Sequence, residues 1–221
     1  MNAAAPSARP PLSRDSVLRA ALAIVDREGP EKLTMRRLGA ELGVDPMAVY
    51  RHVPNKAALF DGITEVVWRS VDIDGIDVAG TWRDELVGVM RSLRDALRAH
   101  PRAVVILGTR PVAGPELFAL LERMLGRLAA AGMPANADTA ELLNILVTYT
   151  TGHVLAEAGE PVGGETDQHS DPGPNLSAFP NLAAVLNDGW EHDPDRAYER
   201  GLRAFVDGWR RAPDPGERSP E

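Results

Sequence analysis

Residues 34–56, TMRRLGAELGVDPMAVYRHVPNK, contain a helix start, a helix stop and a second helix start in close succession. Thr34 carries a side-chain oxygen of the kind that accepts a hydrogen bond where a helix begins. Gly43 readily adopts the left-handed backbone conformation that ends a helix. Asp45 then provides a second cap, and Pro46 suits the first turn of a helix, where its missing N–H costs nothing. The pattern predicts two short helices joined by a tight turn, a helix-turn-helix.

The second of these helices is expected to present its outer side to the groove of duplex DNA. Val49 and Val53 repeat at helical spacing and are predicted to face inward. The other side chains are of types that bind phosphate oxygens, guanine edges or thymine methyl groups. The predicted DNA contacts are Thr34, Arg36, Pro46, Met47, Ala48, Tyr50, Arg51, His52 and Lys56, with Arg37 as a further candidate. The alternative is an ordinary helical hairpin with a solvated basic face, but an exposed Tyr-Arg-His run favours a binding role.

The stretch also resembles a known family when its flanks at residues 12–24 and 53–59 are included. The residues that carry the resemblance are LTMRRLGAELGV, the VYRHV run and PNKAALF. They are similar to the DNA-binding domain of the TetR family of transcriptional regulators. The resemblance implies a three-helix DNA-binding domain, a dimer and a ligand-binding helical domain behind it.

Charge is distributed unevenly along the 221-residue chain. The net charge is −8, but residues 1–60 carry nine Lys and Arg against six acidic residues, a balance of +3, which leaves −11 for the remainder. A basic front and an acidic body indicate two separate roles, and the acidic body discourages non-specific attachment to DNA.

Cysteine content and hydropathy exclude several classes of protein. The chain has no cysteine, so it has neither disulfides nor thiolate sites. No segment approaches the roughly 20 apolar residues that span a membrane. We expect a cytoplasmic protein that does not contact membranes.

The predicted fold class is all-α, with an N-terminal three-helix helix-turn-helix DNA-binding domain and a larger helical ligand-binding and dimerisation domain. Ser13 and Gly29 are expected to begin and end the first helix, and Asn55 to begin a fourth helix that links the two domains. Residues 72–80 are predicted to form the linker, and residues 159–180 a mobile loop. The predicted boundaries are a disordered tail at 1–11, the DNA-binding domain at 12–71, the helical domain at 80–211 and a disordered tail at 212–221.

Two helices towards the C-terminus have more apolar surface than one helix face requires. Residues 138–158 form the least polar predicted helix, apolar in nearly every direction around Leu142. The last helix carries a stripe of large side chains at helical spacing, Tyr198, Leu202, Phe205 and Trp209. A homodimer that pairs these helices into a four-helix bundle would cover both, whereas the alternative is that they fill the core of a monomer.

Later segments, LGTRP and TTGHVLAEAGE, resemble the tetracycline-repressor-like C-terminal domain within the same family. In such domains the drug binds as a metal chelate, and a histidine just before LGTRP ligates the metal. Ile106 occupies that position here, so we expect no metal and no cofactor, and a small, mainly apolar effector. The candidate pocket residues are Leu93, Leu97, His100, Ile106, Thr109, Leu121, Met124 and Tyr149. The alternative is that the leucines and the methionine are plain core.

Catalysis is not expected. The five histidines are scattered, without metal-ligand spacing, and no glycine loop is placed to hold a phosphate. The predicted function is a homodimeric repressor that binds a palindromic double-stranded operator and is released when the effector binds. The alternative is a DNA-binding regulator that responds to a protein partner or has no effector.

Overall fold

The computed structural model describes residues 11–76, 80–110, 114–159 and 176–210. Within these ranges there is no strand, which confirms the all-α class. The α-helices are α1 (Arg14–Glu28), α2 (Met35–Leu42), α3 (Pro46–Tyr50), α4 (Lys56–Arg69), α5 (Trp82–Ala99), α6 (Val104–Thr109), α7 (Pro115–Ala130), α8 (Ala137–Ala158), α9 (Pro180–Asn187) and α10 (Pro194–Gly208). Short 3-10 turns occupy Pro30–Lys32, Pro101–Ala103 and Leu176–Ala178. We call α1–α3 the helix-turn-helix unit and α5–α10 the helical body.

The caps predicted in the helix-turn-helix unit are confirmed. Thr34 Oγ1 accepts a hydrogen bond from the Arg37 N–H at 3.1 Å, and the Asp45 carboxylate accepts one from the Met47 N–H at 2.7 Å. Between them, Gly43 has φ 68° and ψ 35°, the left-handed conformation that ends α2. The angle between α2 and α3 is therefore set by local chemistry.

The helix-turn-helix unit and α4 share one apolar core. Gly62 allows α1 and α4 to approach closely, because a Cβ at that position would overlap the methyl groups of Leu18. Asn55 caps α4 by accepting a hydrogen bond from the Ala58 N–H at 2.8 Å, as its position predicted. The fully buried side chains of this core include Val17, Leu18, Ile24, Leu33, Leu38, Val49, Leu59 and Ile63.

Helix α5 lies at the centre of the helical body, where it packs against α7, α8 and α10. It begins at the predicted capping box, in which the Asp84 carboxylate accepts hydrogen bonds from the N–H and the hydroxyl of Thr81, at 3.0 and 2.9 Å. His100 ends the helix, also as predicted.

The residues of the predicted stripe of α10 lie on two sides of the helix. Tyr198 and Leu202 are fully buried, but the third buried residue is Val206, while Phe205 is 42% exposed. Tyr198, Leu202 and Val206 follow a strict four-residue spacing, which keeps them on the face towards α5 and α8, whereas Phe205 lies to one side.

Several predicted segments lie wholly or largely outside the described residues. These are the tails at 1–11 and 212–221 and most of the loop at 159–180. Part of the predicted linker is described. It packs against the rest of the protein, because Ile73 is only 2% exposed.

Candidate functional site

Buried apolar side chains hold the inner side of α3 against the rest of the helix-turn-helix unit. Val49 and Val53 are 0% and 1% exposed, as predicted, and they anchor the inner side of α3 and of the turn that follows it. Leu38 of α2 is fully buried beside them. The outer side of α3 is thereby held away from the core.

The predicted DNA contacts surround this outer side. Met47 is 67% exposed and Tyr50 is 42% exposed, so both side chains are free to contact a second molecule. In the described part of the chain, no carboxylate lies within ion-pair distance of Arg36, Arg51 or Lys56. The remaining members of the set either are half-buried, as Pro46, Ala48 and His52 are, or cap α2, as Thr34 does. The surface therefore offers unpaired cations beside exposed apolar groups.

Arg37 is arranged differently from these cations. Its guanidinium donates to both carboxylate oxygens of Glu28, at 2.6 and 3.2 Å, and to Glu41 at 2.9 Å. The bonds to Glu28, and then those to Glu41, raise the pKa of Arg37 above its ordinary value. Since the guanidinium is occupied within the protein, we leave Arg37 out of the proposed DNA contacts.

Helix α4 connects this surface to the helical body. Lys56 stands in its first turn, at the end that follows α3, and the helix packs against α5, α6 and α7. Two ion pairs fix its path: Arg14 of α1 holds Glu65, and Arg110 beyond α6 lies 3.1 Å from Asp61. Helix α4 is therefore fixed both to α1 and to the segment that follows α6.

Comparison with known proteins identifies this arrangement. The family model for bacterial regulatory proteins of the tetR family matches residues 17–63, and the model for the tetracyclin repressor-like C-terminal domain matches residues 76–212. The chain belongs to the TetR family. It is a ligand-responsive, DNA-binding transcriptional repressor, and its relatives are transcriptional regulators and not enzymes.

Individual relatives of this TetR-family protein match it over nearly its whole length. The tetracycline repressor protein class A from transposon 1721 of Escherichia coli is 36% identical over 200 residues, which cover 89% of this chain and 90% of that protein. The structure of apo ActR from Streptomyces coelicolor superposes with a TM-score of 0.74 and 30% identity, over 91% of this chain and 96% of that one. The complex of ActR with actinorhodin gives a TM-score of 0.72 and 29% identity, over 90% and 97%.

The apolar residues of the predicted effector pocket are mostly buried. Leu93 and Leu97 on α5, Ile106 on α6 and Met124 on α7 are at most 7% exposed, and Leu121 is half-buried. Ile106 also lines a cleft of about 310 Å³ between α6 and the first turn of α4, together with Thr109. The Thr109 hydroxyl donates to the Val105 carbonyl oxygen at 2.7 Å, within its own helix.

Two predicted polar contacts of the pocket have partners elsewhere. His100 lies at the end of α5, and its Nδ1 is 2.9 Å from a carboxylate oxygen of Asp26 in α1. Tyr149 on α8 stacks on Tyr198 and donates to backbone carbonyls of α10, at 3.2 Å. The structure therefore does not bring these two side chains together with the apolar residues.

The buried charged residues of the helical body were not predicted from the sequence. Glu85 is 1% exposed and binds Arg127 of α7, while Arg94 is 6% exposed and binds Glu157 at 2.8 Å. Glu85 stands next to Leu86 and interrupts the apolar side of an amphipathic helix. This interruption is the sequence signal that could have indicated a buried ion pair. The Arg94 guanidinium also lies over the ring of Tyr198, 4.5 Å from its centroid.

The described residues contain neither a metal-binding group of side chains nor a membrane-spanning helix. No group of three or more histidine, aspartate or glutamate side chains within these ranges has the geometry to hold a metal ion. None of the helices in the same ranges combines the length and the hydropathy needed to cross a lipid bilayer.

Proposed function

We propose that the protein acts in the cytoplasm as a homodimer that binds a palindromic double-stranded operator. One helix-turn-helix reads a single half-site, and specific affinity generally requires two of them at a fixed spacing. The observation that supports pairing is the exposed apolar surface of two neighbouring helices: Leu155 of α8 is 46% exposed and Phe205 of α10 is 42% exposed. A second copy that packs against α8 and α10 would cover both.

The proposed DNA contacts are those predicted from sequence. The cations Arg36, Arg51 and Lys56 have no carboxylate partner among the described residues, and Lys56 lies only over the ring of Phe60, so phosphate oxygens can neutralise all three. Met47 stands at the front end of α3, where side chains reach base edges. The DNA-binding domain, which consists of the helix-turn-helix unit and α4, is proposed to span residues 12–71, and the helical domain residues 80–211.

We propose that the effector is a small, mainly apolar molecule that binds within the helical body. Leu93 and Leu97 of α5, Ile106 of α6 and Met124 of α7 all belong to the buried apolar core, which makes them the best supported of the candidates. His100 and Tyr149 are not retained, because both are engaged in other contacts. Since the four side chains are buried, an effector has to separate α7 from α5 to reach them, and that movement would carry α4 with it.

The proposed response is release of the operator. The effector shifts α4, the distance between the two copies of α3 changes, and affinity for the operator falls. A coupling free energy of about 1–3 kcal/mol is typical of such a response. Helix α4 is suited to this role because it contacts α5, α6 and α7 and carries Lys56 in its first turn.

One observation favours a protein partner instead. Helix α9 has no buried residue, and Phe179, Leu182, Val185 and Trp190 in and around it are all about half exposed or more. A regulator controlled by a protein would bind that partner through such a surface.

The deciding experiment measures operator binding with and without compounds. Duplexes selected from a random pool by the purified protein serve as the operator, and fluorescence anisotropy reports affinity. Actinorhodin, and tetracycline with and without Mg²⁺, are the first probes, because one related structure is a complex with actinorhodin and another relative is named as a tetracycline repressor. A compound that raises the melting temperature in a concentration-dependent way and also weakens operator binding supports the proposal. Operator affinity that is unchanged by every stabilising compound contradicts it.

A further inference from the structure

The C-terminal end of α1 is held by a residue of the helical body. The last turn of a helix leaves backbone carbonyls without partners inside the helix. Arg102, in the 3-10 turn after α5, donates from Nη1 to the carbonyl oxygens of Asp26, at 3.3 Å, and of Arg27. A guanidinium at this position satisfies those acceptors and is favoured by the negative end of the helix dipole.

The side chain of Asp26 makes a second contact with the body at the same place. Its Oδ2 is 2.9 Å from Nδ1 of His100, and both side chains are about one quarter exposed. The other oxygen, Oδ1, is buried and has no hydrogen-bond partner among the described residues. The carboxylate therefore depends on His100, which ends α5.

The next two residues of α1 point to α2. Arg27 donates to Glu41 at 2.9 Å, and Glu28 accepts two hydrogen bonds from Arg37. Arg37 also donates to Glu41 at 2.9 Å, and Arg27 lies 3.7 Å from Glu28, so the four side chains form a closed ring of ion pairs. Three consecutive residues of α1 thus connect the body to the helix that precedes the turn.

We propose that the last turn of α1 is a second coupling element between the helical body and the DNA-binding surface, with Arg102, His100 and Arg37 as its positioning residues. A shift at the end of α5 moves Asp26, and the ring of ion pairs carries the movement to α2 and, through Gly43, to α3. The inference rests on the proposed function, because it concerns how the body controls operator affinity.

This route uses different side chains from the α4 route, although α1 also packs against α4. It uses side chains of α1, α2 and the end of α5, whereas the α4 route uses the contacts of that helix with α5, α6 and α7. Coupling between two sites is reciprocal, so DNA binding at α3 must change the stability of residues 97–103 if this route exists. That change is measurable without knowing the effector.

The experiment compares amide hydrogen exchange of residues 97–103 in the full-length protein with and without a duplex that the wild-type protein has selected. Arg102→Met removes the cap on α1, Arg102→Lys retains a cation there, and Arg37→Met breaks the ring at its far end. Arg91→Met is the matched control, since Arg91 makes a bidentate contact with Glu199 on the other side of α5 and is half exposed.

In the wild-type protein and the Arg91→Met control, the duplex is expected to slow exchange of residues 97–103 by about fivefold, within the usual range of coupling. Arg102→Met and Arg37→Met are expected to reduce this to less than about twofold, and Arg102→Lys to retain most of it. The effect of Arg37→Met is decisive, because Arg37 has no direct contact with residues 97–103 and its ion pairs are partly exposed, so their loss leaves the apolar core intact.

Full slowing in Arg37→Met and in a folded Arg102→Met overturns the inference, because the duplex would then reach the body by α4 alone. If Arg102→Met does not fold, Arg37→Met decides the question by itself. A wild-type protein that selects no duplex overturns the proposed function and this inference with it. A wild-type protein that selects a duplex but shows no slowing contradicts only the inference.

Discussion

Arg14, in the first turn of α1, donates two hydrogen bonds to the carboxylate of Glu65 in α4, over distances of 2.7 and 3.2 Å. Glu65 is only 9% exposed, because its position in α4 is on the side that faces other helices. The bonds to Glu65 raise the pKa of the Arg14 guanidinium above its ordinary value. This pair ties the start of the helix-turn-helix unit to the helix that leads into the body.

Replacing Arg14 by Met is expected to lower the free energy of unfolding by about 1–2 kcal/mol, because a largely buried carboxylate loses its partner. The cost lies below that of a fully buried pair, since the arginine side is about half exposed. Urea unfolding at neutral pH measures the effect. Arg19→Met is the control, because Arg19 pairs with Asp15 on the surface, and we expect a loss below about 0.5 kcal/mol. Equal losses in the two variants would contradict this account of Glu65.

Tyr198 provides a test of the buried polar contacts in the body. Its hydroxyl donates to the Met90 carbonyl oxygen at 2.9 Å and lies 3.0 Å from Thr150 Oγ1, and burial raises its pKa to about 12. Tyr198→Phe removes one hydroxyl from a closely packed site, and we expect a loss of about 1 kcal/mol in the free energy of unfolding. Tyr50→Phe, at an exposed position, is expected to leave stability unchanged and to weaken DNA binding. A Tyr198→Phe protein as stable as wild type would show that these bonds add nothing.

Local chemistry made most helix boundaries predictable, and distant pairing made the buried charges unpredictable. Thr34, Gly43 and Asp45 act on backbone groups within three residues, so their roles are visible in the sequence alone. Glu65 finds its partner 51 residues away, and the partner of His100 lies 74 residues earlier. No local pattern encodes such a distance, and His100 was therefore predicted as a pocket contact and not as a contact to α1.

The ring of ion pairs at the end of α1 predicts an acid dependence of stability. Hydrogen bonds from Arg37 hold the pKa values of Glu28 and Glu41 below their ordinary value of 4.5. Their contribution is therefore present above about pH 4.5 and is lost as the pH falls through the lower values of the folded protein. We expect the melting temperature to fall between pH 4.5 and the acid limit less steeply in Glu28→Gln/Glu41→Gln than in wild type. Differential scanning calorimetry over this range measures it, and parallel curves would contradict the assignment.

Salt dependence separates two roles within the proposed DNA contacts. Lys56→Ala is expected to weaken binding to all duplexes and to reduce the slope of log affinity against log salt concentration by about 1, because one phosphate contact is lost. Arg36→Ala or Met47→Ala is expected to change which base is preferred, by about 1–3 kcal/mol at the affected position. Arg91→Ala, in the body, is the control for loss of a cation. A uniform loss of affinity in all three variants would mean that no base contact is made by Arg36 or Met47.

Phe205 tests whether pairing of two copies underlies operator affinity. The side chain is 42% exposed in α10 and contacts Tyr149 edge-to-face, so a charge there does not disrupt the core of the chain. Phe205→Glu is expected to weaken self-association by tenfold or more, because an aromatic group at the centre of a bundle interface is replaced by a buried charge. Sedimentation equilibrium measures the association, with Ala129→Glu on the exposed side of α7 as the control. Since a monomer makes about half of the phosphate contacts, the salt slope of DNA binding should also fall by about half. A variant that still pairs and keeps the full salt slope would place the interface elsewhere, and the spacing of the two α3 helices would then be set by other residues.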